Sequence, residues 1–171
     1  PIVELVTGIG FALLFFYFSD SLLRVLAYSL IFSSLLVIFI ADLKYQIIPD
    51  SMVMVGILGA IGAIGILREN ILAGLGASAF FLLLHGITRG RGMGLGDVKL
   101  AFLLGLLLGY PGIIVGLYAA FLTGAGAGVI LMIGKYKTWK SRVAFGPFLI
   151  IGAVITLVWK TQILAWWGNF L

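Results

Sequence analysis

The chain has no cysteine, one histidine and four prolines in 171 residues, and charged side chains make up only 10% of it. Without cysteine there are no disulfides, no thiolate zinc sites and no cysteine nucleophiles. A single histidine gives no basis for a histidine-rich metal centre. The scarcity of charge excludes an ordinary soluble domain, because 63% of the residues are hydrophobic and the mean hydropathy is +1.25. The opening Pro1-Ile2-Val3-Glu4 has no initiator Met and no basic segment ahead of a short apolar core, so it does not fit a signal peptide.

What is abundant is apolar sequence in runs near the ~20 residues that cross a bilayer as helix. These runs predict an all-α, polytopic transmembrane bundle of about seven spans, at residues 2–18, 22–41, 51–67, 71–88, 98–110, 112–134 and 145–160. They leave no room for a separate soluble domain, so residues 1–171 are expected to form a single integral membrane domain. The net charge of +5 does not point to nucleic acid, because the basic residues sit in short loops between the runs. Sorted by alternate loops, Lys44, Arg89, Arg91, Lys99, Lys135, Lys137, Lys140 and Arg142 fall on one side, against Arg24, Arg68 and Lys160 on the other. Cytoplasmic loops retain Lys and Arg, which places the first group inside. Trp166, Trp167 and Phe170 are expected to anchor the tail at the headgroup level. The 24 glycines, among them Gly56, Gly59, Gly62 and Gly65, or Gly124, Gly126 and Gly128, fit close packing of membrane helices.

Two aspartates stand where charge is expensive. Asp42 closes the second run and Asp97 opens the fifth, and an ionisable side chain at the edge of a membrane span is first a candidate functional group with a partner to be named. The topology puts both at the cytoplasmic face, so each is the natural partner of the other. Two carboxyl groups sharing one proton can activate water and polarise a carbonyl, as an aspartic protease requires. Gly94 and Gly96 beside Asp97 allow the backbone to bend and water to approach. Asp97 can also cap its helix, and Asp50, directly after Pro49, is expected to cap the third span. Lys99 can meet a substrate acid or act on Asp97, Glu4 at the membrane edge is expected to be structural with substrate contact as its second reading, and His85 is expected to be a hydrogen-bonded interfacial residue. The competing functions are a small proton- or cation-coupled transporter and a structural subunit of a larger membrane assembly; transport would favour aspartates nearer the midplane of broken spans.

The segments Ala41-Asp42-Leu43-Lys44-Tyr45-Gln46-Ile47-Ile48-Pro49-Asp50 and Gly94-Leu95-Gly96-Asp97-Val98-Lys99 resemble the two aspartate motifs of the type IV prepilin peptidase family. Pro1 to Gly8 and Phe145-Gly146-Pro147-Phe148 are similar to its flanking signatures, in the same order. The resemblance implies a membrane aspartic endopeptidase that removes the short basic leader from type IV prepilins or pseudopilins at the cytoplasmic face of the inner membrane. It assigns catalysis to Asp42 and Asp97, with no metal or organic cofactor. Bifunctional members also methylate the new N-terminus and carry a cytoplasmic insert, often with paired Cys-x-x-Cys motifs, that this sequence does not contain. The chain is therefore expected to be a peptidase core without the methyltransferase insert.

Overall fold

A computed structural model describes residues 1–90, 93–133 and 144–159, together with Gln162 and Ala165. The described residues form seven α-helices and no strand: α1 (Ile2–Phe18), α2 (Leu22–Tyr45), α3 (Asp50–Ile64), α4 (Arg68–Ile87), α5 (Leu95–Leu108), α6 (Gly112–Ile133) and α7 (Gly146–Val158). An all-helical bundle is what a bilayer demands, because helices satisfy every backbone polar group within one segment. The expected spans are all present as helices, with ends displaced by a few residues. Three of them, α2, α4 and α6, are long and apolar enough to cross a membrane. Arg91, the basic cluster Lys135, Lys137, Lys140 and Arg142, Lys160, and the aromatic tail with Trp166, Trp167 and Phe170 lie outside the described residues.

The centre of the bundle is α5, packed on α3, α4, α6 and α7. It is apolar on every side, and Leu100, Ala101, Leu103, Leu104, Leu107 and Leu108 are all buried. Around it, α2 packs on α3 and α7, α6 on α7, and α1 on α2. The outward surface carries large apolar side chains such as Leu23, Leu30, Leu58, Leu83 and Ile130, as lipid requires.

Glycine sets the closest crossings. A Cβ on Gly105 would run into the backbone of Gly74, and one on Gly152 into the Gly116 carbonyl, so α4–α5 and α6–α7 meet backbone to backbone. On α3, Gly56 and Gly59 face Ser34, Leu103, Ala27 and Ile31, and Gly62 faces Ala27, as packing predicts. Gly65, Gly126 and Gly128 differ: a Cβ there would meet nothing within 4 Å. Gly65 instead ends α3 with φ +81, a terminating role rather than a packing one.

Both ends of α5 are tied to neighbouring helices. The Asn70 amide Nδ2 donates to the Leu106 carbonyl at 2.6 Å, satisfying one of the unpaired carbonyls of its last turn. At the other end Lys99 donates to both carboxylate oxygens of Asp50 at 2.7 Å, joining α5 to the start of α3. This corrects the expected cap: Asp50 is the first residue of α3 rather than its N-cap, makes no side-chain capping bond, and has its carboxylate on Lys99.

Candidate active site

Asp42 lies three residues before the end of α2, on the stripe formed by Ala27, Ile31, Ser34, Leu35 and Ile38 that faces the core. Helical spacing therefore turns it inward. After Tyr45 the chain reverses through Gln46 in the left-handed conformation (φ 54, ψ 39), and the link to Pro49 brings Ile48 back over the bundle. Asp97 is the third residue of α5, not its N-cap, a place that Gly94 holds. From there its Oδ2 accepts the Gly94 N–H at 3.0 Å, the reciprocal half of a capping box. The helix-capping expected of Asp97 is thus made from the third position of α5.

The two carboxyl groups are brought together at one end of the bundle. Asp42 is 5% exposed and Asp97 8%, and they lie within electrostatic reach of each other. Two such groups in a desolvated setting favour a single shared negative charge over two. Asp42 Oδ2 accepts the backbone N–H of Gly146, the first residue of α7, at 2.9 Å. A Cβ on Gly146 would lie 2.6 Å from that oxygen and 3.4 Å from Ile48 Cδ1, and one on Gly96 would lie 3.0 Å from Ile48 Cβ. Ile48 is thus the apolar piece wedged between the two motifs. Among the described residues no protein donor meets the Oδ1 of either aspartate, and neither is a sealed, unpaired atom. Among the described residues, each carboxyl group thus has one oxygen held by a glycine N–H and no protein donor on the other.

The site is recessed. Asn70 and Leu106 stand at one level, and from there α4 rises ~26 Å to Ile87 while α5 rises only ~17 Å to Leu95. Asp97 therefore lies below the rim set by the end of α4. His85, near the end of α4, is tied to Met93, just before α5: its Nδ1 is 2.7 Å from the Met93 carbonyl oxygen, and since that oxygen only accepts, Nδ1 carries the proton. This is the hydrogen-bonded role expected of the lone histidine.

The remaining candidates are placed less directly. Gly94 and Gly96 open the helix that carries Asp97, and Lys99 points to Asp50. Glu4 is exposed in the first turn of α1, which packs on α2. Sequence reasoning left Gly146, Ile48 and Asn70 without roles; the glycine–proline pair opening α7 was the only signal for the first. Next to Gly146, Phe145 joins a ring cluster with Phe81, Phe121 and Phe148, at centroid distances of 6.0, 5.1 and 6.4 Å. Phe121 in turn closes an apolar groove of about 690 Å³ between α4 and α6, lined also by Leu72, Ala77, Phe80 and Leu117.

The two sequence motifs thus place a buried pair of carboxyl groups at one end of an all-helical bundle. The chain belongs to the type IV leader peptidase family, whose model matches residues 29–129 and so includes both aspartates. It is 31% identical over 146 residues to the prepilin leader peptidase/N-methyltransferase of Aeromonas hydrophila, covering 76% of this chain and 48% of that protein. The proteins of the same name from Stutzerimonas stutzeri and Pseudomonas aeruginosa are 28% and 29% identical, covering 99% and 95% of this chain and 62% and 59% of their own lengths. The chain thus spans roughly half to three-fifths of the curated relatives it matches. No solved structure matches it significantly.

Proposed function

We propose that residues 1–171 act as one integral aspartic endopeptidase unit that removes the leader from type IV prepilins or pseudopilins at the cytoplasmic face of the inner membrane. The observation that supports this reading is the meeting of Asp42 and Asp97, from motifs far apart in sequence, at one end of the bundle, each buried and with one oxygen held by a glycine N–H. The pair holds one proton between them. The ionised member takes a proton from water as that water attacks the scissile carbonyl, while the protonated member donates to the carbonyl oxygen. Collapse of the tetrahedral intermediate then returns a proton to the leaving amine. The shared proton belongs to the pair rather than to one residue.

The substrate's basic leader would lie at the end of the bundle that carries Lys44 and Arg89, and its apolar segment against the helices. The family membership and the names of the relatives support a prepilin substrate over transport or a purely structural role. Gly94, Gly96, Lys99 and Glu4 are proposed to contact substrate; the Lys99–Asp50 pair would have to open for Lys99 to do so. Incubating the membrane protein with prepilin peptides and locating the cut bond by mass spectrometry tests the reading. Cleavage at the junction of basic leader and apolar segment is expected; intact peptides across the panel would refute it.

A further inference from the structure

Resting on the peptidase reading, we propose that Gly146 is a positioning residue: its backbone N–H fixes Asp42, so that α7 supplies a third part of the centre beyond the two aspartate motifs. The segment matched by the family model ends at residue 129, before this glycine. Yet α7 packs on both α2 and α5, the helices that carry the pair.

The first turn of a helix leaves N–H groups without intrahelical partners. At the start of α7 these are almost all accounted for. Pro147 has no N–H, and those of Phe148 and Leu149 donate to the Phe145 carbonyl at 3.0 and 3.2 Å. The Gly146 N–H has its acceptor outside the helix, at Asp42 Oδ2. A carboxylate there is also favoured by the positive end of the helix dipole.

Glycine is not needed at this position for its backbone, since Gly146 is not among the residues of positive φ. It is needed for space. Any side chain would place a Cβ 2.6 Å from Asp42 Oδ2 and 3.2 Å from its Cγ, so the carboxyl group or the helix would have to move. The bond to Gly146 mirrors that from Gly94 to Asp97. With both Oδ2 atoms held, the two Oδ1 atoms are the ones presented to water and substrate.

Two variants of the membrane protein test this, each read by steady-state cleavage of a prepilin peptide, by thermal unfolding, and by the infrared carboxyl bands of Asp42 taken as a difference against Asp42→Asn. Gly146→Ala adds the obstructing methyl. Replacement of residue 146 by glycolic acid exchanges only the N–H for an ester oxygen and adds no bulk, so it carries the test if the alanine variant does not fold. Gly152→Ala is the structural comparator, since its Cβ would strike Gly116 on α6 but lies away from Asp42.

Misplacing a catalytic group by about 1 Å can cost ~100-fold, so kcat of Gly146→Ala is expected to fall by about that factor with KM within about threefold. The glycolate variant is expected to lose about tenfold or more in kcat, as fits one hydrogen bond to a charged group. Both should shift the Asp42 bands, whereas Gly152→Ala should lower the unfolding temperature and leave kcat per folded molecule and those bands in place. An unchanged kcat in the glycolate variant, or unmoved Asp42 bands, would overturn the proposal. If the unaltered protein cuts no prepilin, the peptidase reading falls by itself, and the bands still decide whether Gly146 holds Asp42.

Discussion

Asp42 reaches the interior by ordinary helical periodicity, as the next member of a stripe running from Ala27 through Ile31, Ser34, Leu35 and Ile38. Asp97 does so by opening a helix that is buried on nearly all sides. Neither burial is incidental to packing: a carboxyl group there gives up hydration and, among the described residues, recovers a single hydrogen bond from the protein. Asp50 makes the contrast. It is exposed and paired with an exposed lysine, and such pairs contribute only about 0–1 kcal/mol. Asp50→Asn is therefore expected to keep substantial cleavage activity and to lose no more than ~1 kcal/mol of stability, measured by unfolding in detergent. Activity as low as in the variants of Asp42 and Asp97 would mean that the pair has been chosen wrongly. At this scale the two aspartates were legible because charge in an apolar run has few innocent explanations. The ion pair of Asp50 was not, since Lys99 is distant in sequence and a Pro-Asp start is equally good as a cap.

The helices α3, α5 and α7 have 15, 14 and 13 residues, or roughly 20–23 Å of helix each, and all begin at the end that carries the aspartates. Their shortness, beside the 20 and 24 residues of α4 and α2, is what lets the site sit below the rim. The position of α5 depends on the backbone contact of Gly74 with Gly105 and on the Asn70 cap. Gly105→Val is expected to destabilise the bundle by about 1–3 kcal/mol or more through overpacking, and to reduce activity by displacing Asp97. Gly76→Ala, on the same α4 but facing open space, should unfold at an unchanged or slightly higher temperature. Equal effects of the two would remove the close crossing from the explanation. Asn70→Leu leaves the Leu106 carbonyl without its donor and should cost about 1–3 kcal/mol in the same assay. Helix number and approximate bounds could be read from apolar run length. Which glycines pack could not, because Gly56 and Gly126 differ only in what a neighbouring helix brings to them.

Across the whole molecule, antiparallel neighbours bring the end of α2 and the starts of α3, α5 and α7 to one face, where Asp42, Asp50, Asp97 and Gly146 meet. We propose that this face is cytoplasmic, as the positive-inside rule predicts from the excess of Lys and Arg in the loops that the sequence assigns to it. Because the sequence has no cysteine, Lys44→Cys and Arg68→Cys can each be labelled alone; the first should react from the cytoplasmic side and the second from the opposite one. Labelling from the same side would break the topology. This long-range convergence was foreseeable only as a shared depth; the contacts that join the motifs, through Ile48 and Gly146, belong to the tertiary fold. The measurement closest to the central claim is prepilin cleavage by Asp42→Asn, Asp97→Asn and the double variant, in protein shown to remain inserted and folded. If the two carboxyl groups work as one proton-sharing unit, each single change lowers kcat by ~1000-fold or more and the double change costs no more than either. Substantial cleavage by either single variant, or losses that simply multiply in the double, would contradict it.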